Sequence, residues 1–287
     1  MRIISLVRDL TPLYPGGRFD LGCWEAFMRA ADPALAELCL ADMNGDISAG
    51  LVDYDRDLLP VLNACWREAA VREEAIASFE RVTAGLEEGI LRRFGRTVEA
   101  DVILYPGLCS GVGWVTELHG RTAILLGLEK ITELRWCSED DMRGLIFHEL
   151  GHVYQRQYGV LERECASPRG QFLWQLFTEG VAMRFEQLLM GDLRYFHQDR
   201  DGWAAWCGAH LPQMKADFLR DLDTMRRDNQ RWFGDWVRYE GHGDAGYYLG
   251  ARFVDFICRE RGFNDILALE EDEVERLYLA FAASDAT

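Results

Sequence analysis

Apolar residues recur three and four positions apart over most of this chain, and they stop doing so in one central stretch. In the first hundred residues the helical spacing runs through Cys23, Trp24, Phe27 and Met28, and again through Leu58, Leu59, Val61, Leu62 and Cys65. A third helix is expected from Arg67 to Phe94. It carries Val71, Ala75, Phe79, Val82, Leu86 and Ile90 on one stripe, with charges between and Gly95 as its stop. Residues 1–99 therefore read as a helical N-terminal region. Asp42 to Gly50, DMNGDISAG, spaces Asp42, Asn44 and Asp46 like a calcium loop but lacks the terminal bidentate Glu, which predicts an ordinary loop.

Near Ala100 the pattern changes. Asp101 to Gly107, DVILYPG, predicts a buried strand closed by a Pro-Gly turn. Gly113 to Leu118 predicts a second strand and Arg121 to Ile131 a third. Thr122 to Glu129 is the candidate sheet edge, where a peptide can add itself as a further strand; the alternative is that these strands serve only to cover the helix that follows. The helical period returns at Ser138 to Gly159, SEDDMRGLIFHELGHVYQRQYG: Ser138 can cap the start, Glu139, Asp140 and Asp141 suit the first turn, and Gly159 can close the end. A loop, Leu161 to Gly170, leads to a helix from Gln171 to Met190 with a broad apolar face. Further helices are expected over Asp201 to Asn229 and Tyr247 to Gly262, separated by the break GHGDAG, with a short acidic helix closing the chain. The class is α+β, mostly α: a short sheet precedes a central helix, and residues 100–287 form the region that carries the chemistry.

Composition narrows the function. At 287 residues with 49% hydrophobic and 12% aromatic residues, the chain can fill a sizeable core. A formal charge of −17 argues against nucleic acid or an anionic membrane as partner, since both need basic surface. No apolar run reaches the length of a membrane span, and the opening MRIISLVRDL is interrupted by Arg8 and Asp9 too early for a signal peptide, so the expected location is cytoplasmic. The eight cysteines are scattered without a C-x-x-C pair, which predicts free thiols rather than disulfides or a zinc knuckle. Cys109 and Cys137, near the central helix, are the thiols considered as extra metal ligands.

The candidate chemistry lies in His148-Glu149-Leu150-Gly151-His152. Residues four apart share a helix face, so His148 and His152 can bind one metal ion, while Glu149 beside them is placed as general base. The motif sits in a capped helix beside Leu145, Ile146 and Phe147, where two histidines and a carboxylate are costly to bury without a partner. Two histidines leave a catalytic zinc site one ligand short. On the next helix Glu179 lies between Phe177 and Val181 and wants a cation, whereas Glu186 can turn to solvent. Glu179 is therefore the expected third ligand. His119, His197 and His210 have no partner at ligand spacing and receive no role.

These residues resemble the gluzincin branch of zinc metallopeptidases, the thermolysin and aminopeptidase superfamily, and look similar to bacterial predicted Zn-dependent proteases of that group. HELGH is followed by Glu179-Gly180-Val181-Ala182, an E-G-x-A run whose Glu is the third ligand in the aminopeptidase members, and then by Tyr247 ahead of Gly250 and Ala251 in a Y-x-x-G-A pattern. The resemblance covers Asp101 to Gly262. It implies a zincin-like domain holding one Zn²⁺ and peptide-bond hydrolysis of a peptide or protein substrate. It also implies that the hydroxyl of Tyr247 stabilises the tetrahedral intermediate; His242, in the Gly-rich break, is a second candidate donor on the residues alone, against the reading of a solvated surface histidine. The exopeptidase motif G-x-M-E-N is absent, which leaves endo- and exopeptidase action open. Thermolysin-like members place an imidazole-orienting aspartate four residues after the third ligand, where this chain has Met183. The alternative of a different class is an inactive metal-binding protein that keeps the fold.

Overall fold

The apolar runs of residues 101–127 form one mixed sheet with a strand from the chain's start. Its strands are β1 (Arg2–Ser5), β2 (Asp101–Tyr105), β3 (Gly113–Leu118) and β4 (Arg121–Gly127), in the order β1-β2-β4-β3. β1, β2 and β4 run parallel, and β3 pairs antiparallel with β4. β2 is buried throughout and β4 from Ala123 onward, as expected of central strands covered on both faces. The β3–β4 hairpin turns through His119 and Gly120, both at positive φ (54° and 68°), the conformation that matches the twist of paired strands. The expected edge is thereby corrected. β4, which holds Thr122, lies inside the sheet, and the edge on this side is half-buried β3. The strand expected to reach Ile131 ends at Gly127, and a short helix takes over.

The structure is a computed structural model that describes residues 1–234 and 236–284. It is α+β and about 60% helical. The chain divides into two units, Met1–Glu149 and Leu150–Thr287. The first holds the sheet with α1 (Leu21–Ala31), α2 (Pro33–Ser48), α3 (Leu59–Arg67), α4 (Ala69–Thr83), α5 (Leu86–Phe94) and α6 (Leu128–Leu134). Residues 1–99 are thus not helical alone, since β1 joins β2 and bridges the break expected near residue 100. The helix expected over Arg67 to Phe94 is two, interrupted where Gly85 takes φ 77°, and Gly95 at φ 66° ends the second as anticipated. Asp42 to Ser48 is not a loop but the end of α2. Leu35, Ala36, Cys39 and Met43 bury one face of that helix and hold it together, while Asn44 lies on its exposed side.

The central helix, α7 (Glu139–Tyr158), runs unbroken across the division between the units. The second unit continues with α8 (Pro168–Met190), α9 (Trp203–Asp221), α10 (Ala245–Cys258), α11 (Phe263–Ile266) and α12 (Glu271–Ala283). Its core is dense in aromatic rings, including Phe177, Phe185, Phe218, Trp232, Phe253 and Tyr278, all with less than 2% exposure. Among the described residues no helix is long and apolar enough to cross a membrane.

One ionic clamp ties three strands of the sheet. Asp101 of β2 accepts from Arg2 Nε of β1 at 2.8 Å and from the Arg121 guanidinium of β4 at 3.0 and 3.1 Å. The bond from Arg2, followed by that from Arg121, holds its carboxyl below the usual carboxylate range despite burial. A lowered folded-state pKa stabilises the fold above the unfolded-state value of about 3.9, and the contribution fades as pH falls below it. Asp101→Asn is therefore expected to lower stability by about 1–3 kcal/mol at pH 7. The deficit should shrink towards pH 3, as read from urea midpoints of both proteins across that range.

Candidate metal centre

The helix that carries the histidines is closed at its start by a reciprocal cap. The Asp141 amide donates to Ser138 Oγ at 3.2 Å, and the Ser138 amide donates to Asp141 Oδ2 at 3.3 Å. At the other end the helix stops at Tyr158 and Gly159 follows it, as expected. That glycine has no positive φ; instead a Cβ there would collide with the backbone of Leu267, so the chain stops being helical where it passes another segment at backbone contact. Between these ends His148 and Glu149 are buried (4% and 6% exposed) and His152 is half-buried.

Two glycines of the motifs explain how the third ligand arrives. A Cβ on Gly151 would lie 2.6 Å from Ala182 Cα and 3.0 Å from its carbonyl oxygen, so α7 and α8 cross with their backbones touching. Gly180 meets Gly250 in the same way: a Cβ on Gly250 would lie 2.6 Å from the Leu176 carbonyl oxygen and 3.0 Å from the Gly180 amide nitrogen, which puts α8 against α10. The residues beside these crossings are the proposed ligands. His152 Nε2 lies 3.3 Å from Glu179 Oε2. Two donor atoms each about 2.0–2.1 Å from one tetrahedral zinc ion are about 3.4 Å apart. One ligand atom from each of His148, His152 and Glu179 lies within 4.8 Å of the other two, so the donor set is of a kind and spacing that can hold a metal ion.

Glu149 faces the sheet edge. A Cβ on Gly113, the first residue of β3, would lie 2.9 Å from Glu149 Oε1 and 3.0 Å from Leu145 Cδ1. Only a residue without a side chain lets the edge strand come this close to the carboxylate. The loop leading into β3 is held from below by Glu129 of α6. Its buried carboxylate accepts from the Gly107 amide at 2.8 Å and the Cys109 amide at 2.9 Å, while burial pushes its pKa up.

Several residues stand elsewhere than their sequence suggested. Glu186, expected in solvent, is fully buried, and His197, given no role, is its partner: His197 Nδ1 lies 3.0 Å from each carboxylate oxygen. Together with His148 they form a second group whose ligand atoms lie within 4.8 Å of one another. The signal for Glu186 was its seven-residue spacing from Glu179, which returns it to the same helix face; nothing local marked His197. The His242 ring stacks on Trp206 at 3.8 Å between centroids, and His210 stacks on the same indole at 4.2 Å. His119 makes a surface pair with Asp32 at 2.9 Å. Tyr247 is half-buried in the first turn of α10, one turn before the Gly250 crossing.

All eight cysteines are free, and none of the candidate metal-holding groups among the described residues includes one. Burial pushes the Cys109 thiol up strongly and that of Cys137 up less, which disfavours the thiolate a metal needs. No family model, curated protein or solved structure matches the chain, so its chemistry is read from this geometry.

The crossing makes a prediction that alters no ligand. Gly151→Val should destabilise the protein by about 1–3 kcal/mol through overpacking against Ala182. It should also weaken the hold on a divalent metal ion added to the protein, measured by elemental analysis after dialysis beside the thermal midpoint.

Proposed function

We propose that this chain is a zinc-dependent metallopeptidase with a zincin-like catalytic region. The observation that carries the reading is the meeting of His148, His152 and Glu179 at ligand spacing, with Glu149 next in sequence to the first histidine and against the sheet edge. Zinc held by those three residues would polarise a peptide carbonyl and acidify a water towards a pKa of about 7, and Mn²⁺ or Co²⁺ suits the same donors.

The chain's own residues supply the remaining steps. Glu149 takes the proton of the attacking water and passes it to the leaving amine. Its burial beside Gly113 keeps the carboxylate close to the edge strand, where an extended peptide can pair with the free backbone groups of β3. Tyr247, in the first turn of the helix that packs at Gly180, is the hydroxyl assigned to the developing oxyanion. A peptide or protein is the substrate class. The net charge of −17 offers nothing to nucleic acid.

The first test is metal content under metal-limited growth. Wild type should hold close to one zinc per chain, with large losses in His148→Ala and Glu179→Ala. A wild type that stays metal-free after zinc is added back would sink the proposal. Glu149→Gln should keep its zinc and cleave a peptide library at least about 100-fold more slowly. Gly113→Val should likewise keep zinc and lose cleavage, since its side chain would press on Glu149. Stoichiometric zinc without cleavage of any peptide would favour the inactive metal-binding reading instead.

A further inference from the structure

We propose that Glu186 and His197 form a buried positioning pair that orients His148 for metal binding. The inference rests on the metal-centre reading above. It starts from an energetic anomaly: Glu186 has no exposed surface and His197 only 4%, in a unit whose core is rich in aromatic rings. A carboxylate so placed is tolerated only when it is well partnered. Both oxygens of Glu186 lie 3.0 Å from His197 Nδ1, and the His197 amide also donates to Oε1 at 3.3 Å.

The local chain is built to make this pair. Gly191 at φ 75° ends α8 and turns the chain back, so that His197 returns to Glu186 eleven residues after it. Gln187 Nε2 holds the returning loop through the Tyr195 carbonyl at 3.1 Å, and Gln198 Nε2 lies 3.7 Å from the sulfur of Met183. Glu186 is two helical turns beyond Glu179 on the same helix. Glu186 lies three residues beyond Met183 on α8, and a second residue, His197, secures it.

The relation to His148 gives the pair its purpose. One ligand atom each from His148, Glu186 and His197 lies within 4.8 Å of the other two. A neutral imidazole has one lone pair for a metal and one N–H to donate, so His148 cannot serve an ion in both groups at once. With its lone pair turned to His152 and Glu179, its other ring nitrogen carries the N–H, and Glu186 offers a carboxylate oxygen within 4.8 Å of a ring nitrogen of His148. Outer partners of this kind fix the tautomer and ring orientation of a ligand and strengthen it as a donor.

The test measures zinc affinity by chelator competition in wild type, Glu186→Gln and His197→Gln, with the denaturation midpoint of each metal-free protein. The expected result is zinc binding about 10- to 100-fold weaker in Glu186→Gln, and weaker also in His197→Gln. The absorption bands of the Co²⁺-loaded variants should shift, showing a changed ligand geometry. A variant whose midpoint falls while its zinc affinity and Co²⁺ spectrum match wild type would mark the pair as core packing and overturn the inference alone. A second zinc equivalent in wild type, lost in both variants, would overturn it in favour of a second metal centre. A wild type that binds no zinc overturns the metal-centre reading and this inference with it. If Glu186→Gln does not fold, His197→Gln, which keeps the carboxylate, decides.

Discussion

The candidate centre depends on helices that touch backbone to backbone. α8 meets α7 where Gly151 lies against Ala182 and meets α10 where Gly180 lies against Gly250. Ordinary helix pairs keep their axes about 8–10 Å apart because side chains fill the space between them. Here the space is closed, and a short carboxylate on one helix reaches an imidazole on the next: His152 and Glu179 are 3.3 Å apart. The small residues of HELGH and EGVA are thus not spacers between functional positions. They are the reason those positions meet.

Close approach also concentrates ionisable groups that cannot individually stay in a low-dielectric interior. His148, Glu149, Glu186 and His197 are all buried. Glu186 is held there by the amide and the ring of His197, since desolvation of an unpartnered charge would otherwise cost more than the local packing returns. Glu129 shows the same rule away from the centre: burial raises its pKa, and two backbone amides offset part of that penalty while fixing the loop that delivers Gly113. One buried carboxylate therefore holds the edge strand at its distance from Glu149, and another lies within 4.8 Å of a ring nitrogen of His148.

The helix carrying His148, Glu149 and His152 was legible in the sequence because its signals are local. Its capping residues, its acidic first turn and its four-residue histidine spacing act within a few residues of one another. The α+β class and the strands of residues 101–118 were equally readable from the switch in hydrophobic period. Glu179 was visible as an acid among apolar neighbours.

What needed the folded chain were facts that depend on partners far away in sequence. A strand's place in a sheet is not encoded in its own pattern, so β3 rather than β4 became the edge, and the chain's first residues became a strand only because β2 was there to pair with. Whether an acid on a helix faces water or core depends on what covers that helix, and Glu186 is covered by a loop that brings His197 back to it. The sequence by itself determined the order of a short sheet and a central helix, and which two histidines of that helix share a face. The tertiary structure decided which groups face them, because burial and hydrogen-bond partnership are properties of the packed chain and not of any window along it.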